Sequence, residues 1–205
     1  MDTIVEKHRS HLPHIQLEGQ IISLTWRLAF TLPKNILDLQ EALKKDLEET
    51  DRNEASRLSN RYASYIKKLE ELDTFLGKCE VDGLSLCADE NARILISAIN
   101  FHDNKMYDLH CYCIMPNHVH ILVKPLLGKD GAYYKISTIV QRLKTYTANM
   151  FNQHRGSRGK IWHRDYFDRY IRNPVDYRNV VKYILENPVK AGLVSKAEDW
   201  KYSRY

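Results

Sequence analysis

The stretch Met115-Pro116-Asn117-His118-Val119-His120-Ile121-Leu122-Val123 constrains this chain more than any other. Apolar, largely β-branched residues around two histidines favour a β-strand. In a strand, residues i and i+2 point to one face. His118 and His120 therefore project side by side, while Val119, Ile121 and Val123 face the other way. Two imidazoles held in parallel are the beginning of a divalent-metal site. Two half-exposed histidines on a sheet surface have the same spacing, so the rest of the chain must decide.

The flanking pattern builds a sheet around that strand. Ile22, Leu24, Trp26 and Leu28 alternate in Gly19–Phe30, which predicts a first strand ended by Pro33. Met106–Ile114 reads as a strand that returns through a Pro116-Asn117 turn as a hairpin with 118–124. Asp89 is placed to N-cap a helix carrying Ala92, Leu95, Ile96 and Ile99 on one face. A second helix opens at Ser137 with Ile139, Val140, Leu143, Tyr146, Thr147 and Met150 on one side, and Tyr166–Ile171 reads as a strand. Asn173-Pro174 starts a last helix, with Pro in the first turn, and Pro188 is expected to end it near Asn187.

Residues 36–76 interrupt this pattern. Ile36, Leu39, Leu43 and Leu47 keep helical spacing, as do Leu58, Tyr62, Tyr65, Leu69, Leu72 and Leu76, with Thr50–Asn53 as a polar break. An inserted helical hairpin, or one long helix, satisfies both runs. Without it the order is strand, helix, strand, strand, helix, strand, helix. That is an α+β, ferredoxin- or RRM-like split β-α-β arrangement: one domain over 1–205, an antiparallel sheet with helices on one face and the histidine hairpin interior to it. The first twenty residues are polar and His-rich and suggest no strand.

Composition narrows the function classes. With 43% hydrophobic and 28% charged residues and no long apolar run, the chain reads as globular, with no signal core at its start and a cytoplasmic location expected. Cys79, Cys87, Cys111 and Cys113 suit ordinary reduced thiols better than a disulfide framework or a zinc site. The net charge of +5 is uneven. Residues 124–205 hold 17 Lys/Arg against 7 Asp/Glu, whereas 38–73 hold 7 against 10. A basic half of that kind suits a polyanionic partner, nucleic acid first.

One aromatic stands out in the last helix. Its apolar stripe is Tyr177, Val180, Val181, Ile184 and Leu185. Tyr183 lies off that stripe, and Asn187 sits one turn later on the same side. Tyr146 is the rival tyrosine, but its spacing from Ile139, Leu143 and Met150 places it at the edge of a buried face. A metal hydrolase using the two histidines with Asp108 or His110 is a further arrangement compatible with the sequence.

Three blocks in order carry a resemblance: Met115–Val123, Ile161-Trp-His-Arg-Asp-Tyr-Phe-Asp-Arg-Tyr-Ile-Arg172, and Lys182-Tyr-Ile-Leu-Glu-Asn-Pro-Val-Lys-Ala-Gly192. Together with Glu198–Ser203 they resemble the HUH single-tyrosine transposases, most of all the REP-associated tyrosine transposases. The resemblance spans roughly 10–33 and 77–203. It implies His118 and His120 as ligands of Mg²⁺ or Mn²⁺ and Tyr183 as nucleophile. Asn187 stands where related enzymes carry a metal-ligating glutamine, so the resemblance implies it as the third metal ligand. The implied activity is nicking and strand transfer of single-stranded or hairpin DNA through a 5′-phosphotyrosine, by a monomer or homodimer. A domesticated hairpin-binding protein with little or no catalysis is the alternative. Arg155, Arg158, Lys160 and Arg164 are placed to meet phosphates; Trp162, Tyr166 and Phe167 have faces on which bases could stack, although aromatics of this kind are more often core residues.

Overall fold

The structure is a computed structural model and describes residues 4–9, 13–30, 32–39, 41–42, 67–68, 70–77 and 83–205. A hairpin of β1 (Ile4–Arg9) and β2 (Pro13–Leu17) precedes the main sheet, where the polar composition suggested no strands. The sheet contains β3 (Ile22–Arg27), β4 (Tyr107–Ile114), β5 (His118–Pro125), β6 (Phe167–Tyr170) and the short β7 (Ser203–Arg204). The order is β6-β3-β5-β4-β7 and every pairing is antiparallel. The first four strands have the split β-α-β order expected from the sequence, with β5 central.

Helices α3 (Asp89–His102) and α4 (Ile136–His154) cover one face. Ile22, Leu24 and Trp26 of β3 and Val119, Ile121 and Val123 of β5 point into that layer with Tyr112 and Ile114. They meet Leu95 and Ile99 of α3 and Ile139, Val140 and Leu143 of α4. Apolar residues at every second strand position, against 3.6-period stripes in the helices, make this the main core.

Helices on one face only was the expectation, and the structure corrects it. Helix α5 (Pro174–Lys190) lies on the opposite face, with Val180, Val181 and Ile184 against Cys111, Cys113 and Leu122. A helix's periodicity reveals which stripe it buries, not which side of a sheet receives it. Asn173 caps α5 by accepting from the Asp176 amide at 2.9 Å. Pro188 does not end the helix, which runs on to Lys190. A proline near a C-terminus removes a single amide donor. The stop comes instead from Gly192 at φ +74°, with the Leu193 amide donating to the Pro188 carbonyl at 2.9 Å.

Helical residues 34–39 and 41–42 (α1) and 67–68 and 70–77 (α2) are the described parts at the two ends of the interrupting segment. Leu72 and Leu76 pack with Leu32, Ile36 and Phe167. The expectations for Leu43, Leu47, the 50–53 break, Leu58, Tyr62, Tyr65, Leu69 and Cys79 lie outside the described residues. Asp89 is the first residue of α3 rather than its cap; Ala88 occupies that position, and the Asp89 carboxylate accepts from Lys201 and Tyr202. Helix α4 lacks a cap side chain of its own and borrows one from the N-terminal hairpin. Glu6 accepts from the Ser137 hydroxyl at 2.5 Å and its amide at 3.3 Å, while Gln16 accepts from the Ile136 amide at 2.8 Å. Among the described residues no helix is long and apolar enough to cross a membrane.

Candidate active site

His118 and His120 project from β5 toward the α5 side of the sheet, where Thr25 is paired with His120 and Arg27 with His118. Both imidazoles are essentially fully buried. Each is held through Nδ1. Asn117 donates its amide nitrogen to the Leu76 carbonyl at 2.8 Å, so its Oδ1 is the acceptor facing His118 Nδ1 at 2.6 Å. His118 therefore carries its proton on Nδ1 and presents a lone pair at Nε2. His120 Nδ1 contacts the Thr25 hydroxyl at 2.8 Å. Nε2 of both rings is buried without a hydrogen-bond partner.

A third group joins them. Asp73 of α2 is 2% exposed, and its Oδ1 is also buried and unpartnered. One ligand atom each from Asp73, His118 and His120 lie within 4.8 Å of one another. Buried polar atoms without partners are costly, and two imidazoles with a carboxylate this close match the donor set of a divalent cation. Burial holds the site in a ligating state. It pushes the His120 pKa down to about 3 and that of His118 well below the usual histidine range, with His120 adding to the effect. Both rings are thus neutral. Burial also raises Asp73 to about 7, partly offset by a hydrogen bond from Tyr183. These directions describe the site without a cation, whose charge would favour the ionised carboxylate.

Tyr183 reaches the same cluster from α5. Its hydroxyl donates to Asp73 Oδ2 at 2.8 Å, and its ring meets His120 edge-on with centroids 6.3 Å apart. Burial, followed by the adjacent Asp73 charge, moves its pKa far above the usual tyrosine range. Lys190 Nζ sits 4.3 Å from the Tyr183 ring centroid. Asn187 is buried one turn on, and its amide nitrogen donates to the Tyr183 carbonyl at 3.0 Å.

The other expectations fall elsewhere. Tyr146 is 48% exposed on α4 and lines a groove with Phe101, His102 and Arg142, so it is not a core residue and lies on the other side of the sheet from the histidines. His110 contacts the Tyr177 hydroxyl at 3.0 Å, and neither it nor Asp108 joins the histidine cluster. Cys87, Cys111 and Cys113 are free thiols. Trp162, Tyr166 and Phe167 are core residues; Trp162 donates to the Thr147 hydroxyl at 2.9 Å.

Arg155, Arg158, Lys160 and Arg164 are exposed on the loop after α4. Lys144 fixes that loop by donating to the carbonyls of His163, Arg164 and Asp165 at 2.9–3.2 Å. Lys144, Lys160, His163 and Arg164 line an open groove of about 490 Å³. The His163 amide donates to the Arg27 carbonyl at 2.9 Å, so the loop meets the end of β3 that pairs with His118.

Sequence reasoning missed Asp73 and the roles of Asn117, Thr25 and Lys144. Asp73 adjoins the buried Leu72, and nothing in its own helix distinguishes it from a solvated acid. Asn117 was within the motif and was read only as a turn residue.

Comparison with known proteins bears on the same elements. Residues 88–187, from α3 to the last turn of α5, match the family model described as Transposase IS200 like. A Haemophilus influenzae protein named as a REP-associated tyrosine transposase is 33% identical over 98 residues, covering 45% of this chain and 56% of that protein. A REP-associated tyrosine transposase of Escherichia coli is 28% identical over 102 residues, covering 50% and 56%. The match thus spans about half the length of these curated relatives. The solved structure of a REP-associated tyrosine transposase bound to a REP hairpin superimposes with a TM-score of 0.54 at 18% identity, covering 97% of this chain and 81% of that one. This likeness shows a shared α+β fold.

Proposed function

We propose that this protein is a DNA transposase or endonuclease that nicks and rejoins single-stranded DNA, with Tyr183 as nucleophile and Mg²⁺ or Mn²⁺ at His118 and His120. The observation that carries this reading is the pair of buried imidazoles with unpartnered Nε2 atoms, one of which, His120, lies edge-on to the Tyr183 ring. Such histidines are poor acids and good ligands. When bound, the ion would polarise the scissile phosphate and stabilise charge on the displaced oxygen.

The chain's own residues supply the rest. Asn117 and Thr25 hold the two rings in their ligating orientation. Attack by Tyr183 Oη on phosphorus forms a phosphotyrosine at the 5′ end and breaks the bond to the 3′ oxygen, which leaves as a 3′-OH. The phenol must lose its proton for this, and Asp73 Oδ2 is the acceptor already in contact with it. Attack by an incoming 3′-OH reverses the step and joins strands. Arg155, Arg158, Lys160 and Arg164 are suited to phosphate contacts, and their loop adjoins the His118 end of the sheet. A DNA hairpin beside the cut strand is the partner suggested by the relative solved with one.

The test is incubation with end-labelled single-stranded and hairpin oligonucleotides and Mn²⁺, analysed on a denaturing gel. The expected result is a cut strand with protein on its 5′ end, absent from Tyr183→Phe and from the double variant His118→Ala/His120→Ala. Cutting that persists in Tyr183→Phe would sink the assignment. Binding without cutting would favour a hairpin-binding protein.

A further inference from the structure

Two imidazoles alone make a weak site for Mg²⁺ or Mn²⁺, which prefer oxygen ligands and anionic charge. Resting on the metal-dependent reading above, we propose that Asp73 is the third protein ligand, in place of Asn187, so that helix α2 of the interrupting segment is part of the catalytic centre.

Three observations support this. The Asp73 carboxylate meets Tyr183 through Oδ2, which lies 3.9 Å from His120 Nδ1, and its Oδ1 is buried and unpartnered. One ligand atom of Asp73 lies within 4.8 Å of one from each histidine. Asn187, by contrast, offers only a neutral amide, whose nitrogen donates to the Tyr183 carbonyl one turn back. Finally, α2 is docked rather than loosely placed. Asn117 binds the Leu76 carbonyl, Leu72 and Leu76 are buried, and Gly77 lies so close to α5 that an added Cβ would come within 3.1 Å of the Ala191 methyl. Asn117 thus orients a histidine and anchors the helix that brings the acid. With Oδ1 on the ion and Oδ2 on the phenol, one carboxylate would set the spacing between ion and nucleophile, making Asp73 a positioning residue for Tyr183 as well as a ligand.

The experiment is Mn²⁺ titration of the full chain without DNA, read as loss of the free-ion electron paramagnetic resonance signal. Removing a hydrogen-bond partner of a ligand typically costs 10–100-fold in affinity, so loss of a ligand should cost about 100-fold or more. Asp73→Asn, which keeps an acceptor for Tyr183, should show that loss, while Asn187→Ala should stay within about threefold of wild type. Wild-type affinity in a folded Asp73→Asn, or an Asn187→Ala loss as large, overturns the proposal. His120→Ala separates the two levels. If it too binds Mn²⁺ normally, the metal-dependent reading itself fails; if it loses the ion while Asp73→Asn does not, only the third ligand is wrong. Should Asp73→Asn not fold, electron-nuclear double resonance on wild type decides. Coupling of Mn²⁺ to ¹³C-carboxyl aspartate is expected, and coupling to labelled asparagine instead overturns the assignment.

Discussion

The two faces of one sheet differ sharply. On the α3/α4 face, β3 and β5 place Leu24 opposite Ile121 and Trp26 opposite Val119, all fully buried and, apart from the indole nitrogen of Trp26, apolar. One residue along the same strands, Thr25 stands opposite His120 and Arg27 opposite His118. That face leaves buried nitrogen and oxygen atoms without partners beneath Tyr183 and Asp73. The first face stabilises the fold, and the second carries polar groups that the fold has to hold in place. The period of two in a β-strand lets one backbone do both.

The contrast can be broken from either side. The largest effect should come from Tyr183→Phe, which removes the attacking oxygen. Strand cleavage should fall by at least about 10³-fold on gels, with Mn²⁺ binding retained. On the opposite face, Ile121→Ala should cost about 2–5 kcal/mol in chemical denaturation and leave the Mn²⁺ affinity of the folded fraction unchanged. If Ile121→Ala weakens metal binding directly, the faces are not independent.

Asn117→Ala sharpens the comparison, since Asn117 touches both His118 and α2. It should lower stability by about 1–3 kcal/mol through lost buried hydrogen bonds. Unlike Ile121→Ala, it should also weaken Mn²⁺ binding by about 10-fold or more.

A smaller effect should appear with pH. Burial lowers the His163 pKa to about 4. The unfolded chain takes up that proton near pH 6.5, so between about 6.5 and 4 the unfolded state binds more protons and stability falls as pH falls. His120, depressed to about 3, acts in the same direction in metal-free protein, whereas Asp73, raised to about 7, acts in the opposite one. His163→Gln should flatten the acid slope of melting temperature against pH; an unchanged slope would mean that His163 is not held neutral. The smallest expected effect is that of Gly77→Ala, whose new methyl must shift Ala191 by a few tenths of an ångström.

Much of this was legible in residue patterns. The alternation in 22–28 and 118–123 implied a sheet with one apolar face, and the β-strand period alone put His118 and His120 on the other. The off-stripe position of Tyr183 likewise followed from helical spacing. Trp162 and Tyr166 fill the core, as is usual for such aromatics even within a basic loop, but Tyr146 shows the limit: its spacing looks buried, yet it is half exposed. Their surroundings are made by elements far away in the chain.

By itself, then, the sequence determined the local quantities: strand alternation, the side-by-side histidines, the Asn173 cap and the stripe of α5. Each depends on a period of two or 3.6 residues and on neighbours within one turn or strand. Only the tertiary structure decided that α5 covers the histidine face and that Asp73, 110 residues before Tyr183, meets its hydroxyl. The physical reason is that amphipathicity specifies which side of a helix is buried. The partner surface is selected by packing among all the elements at once.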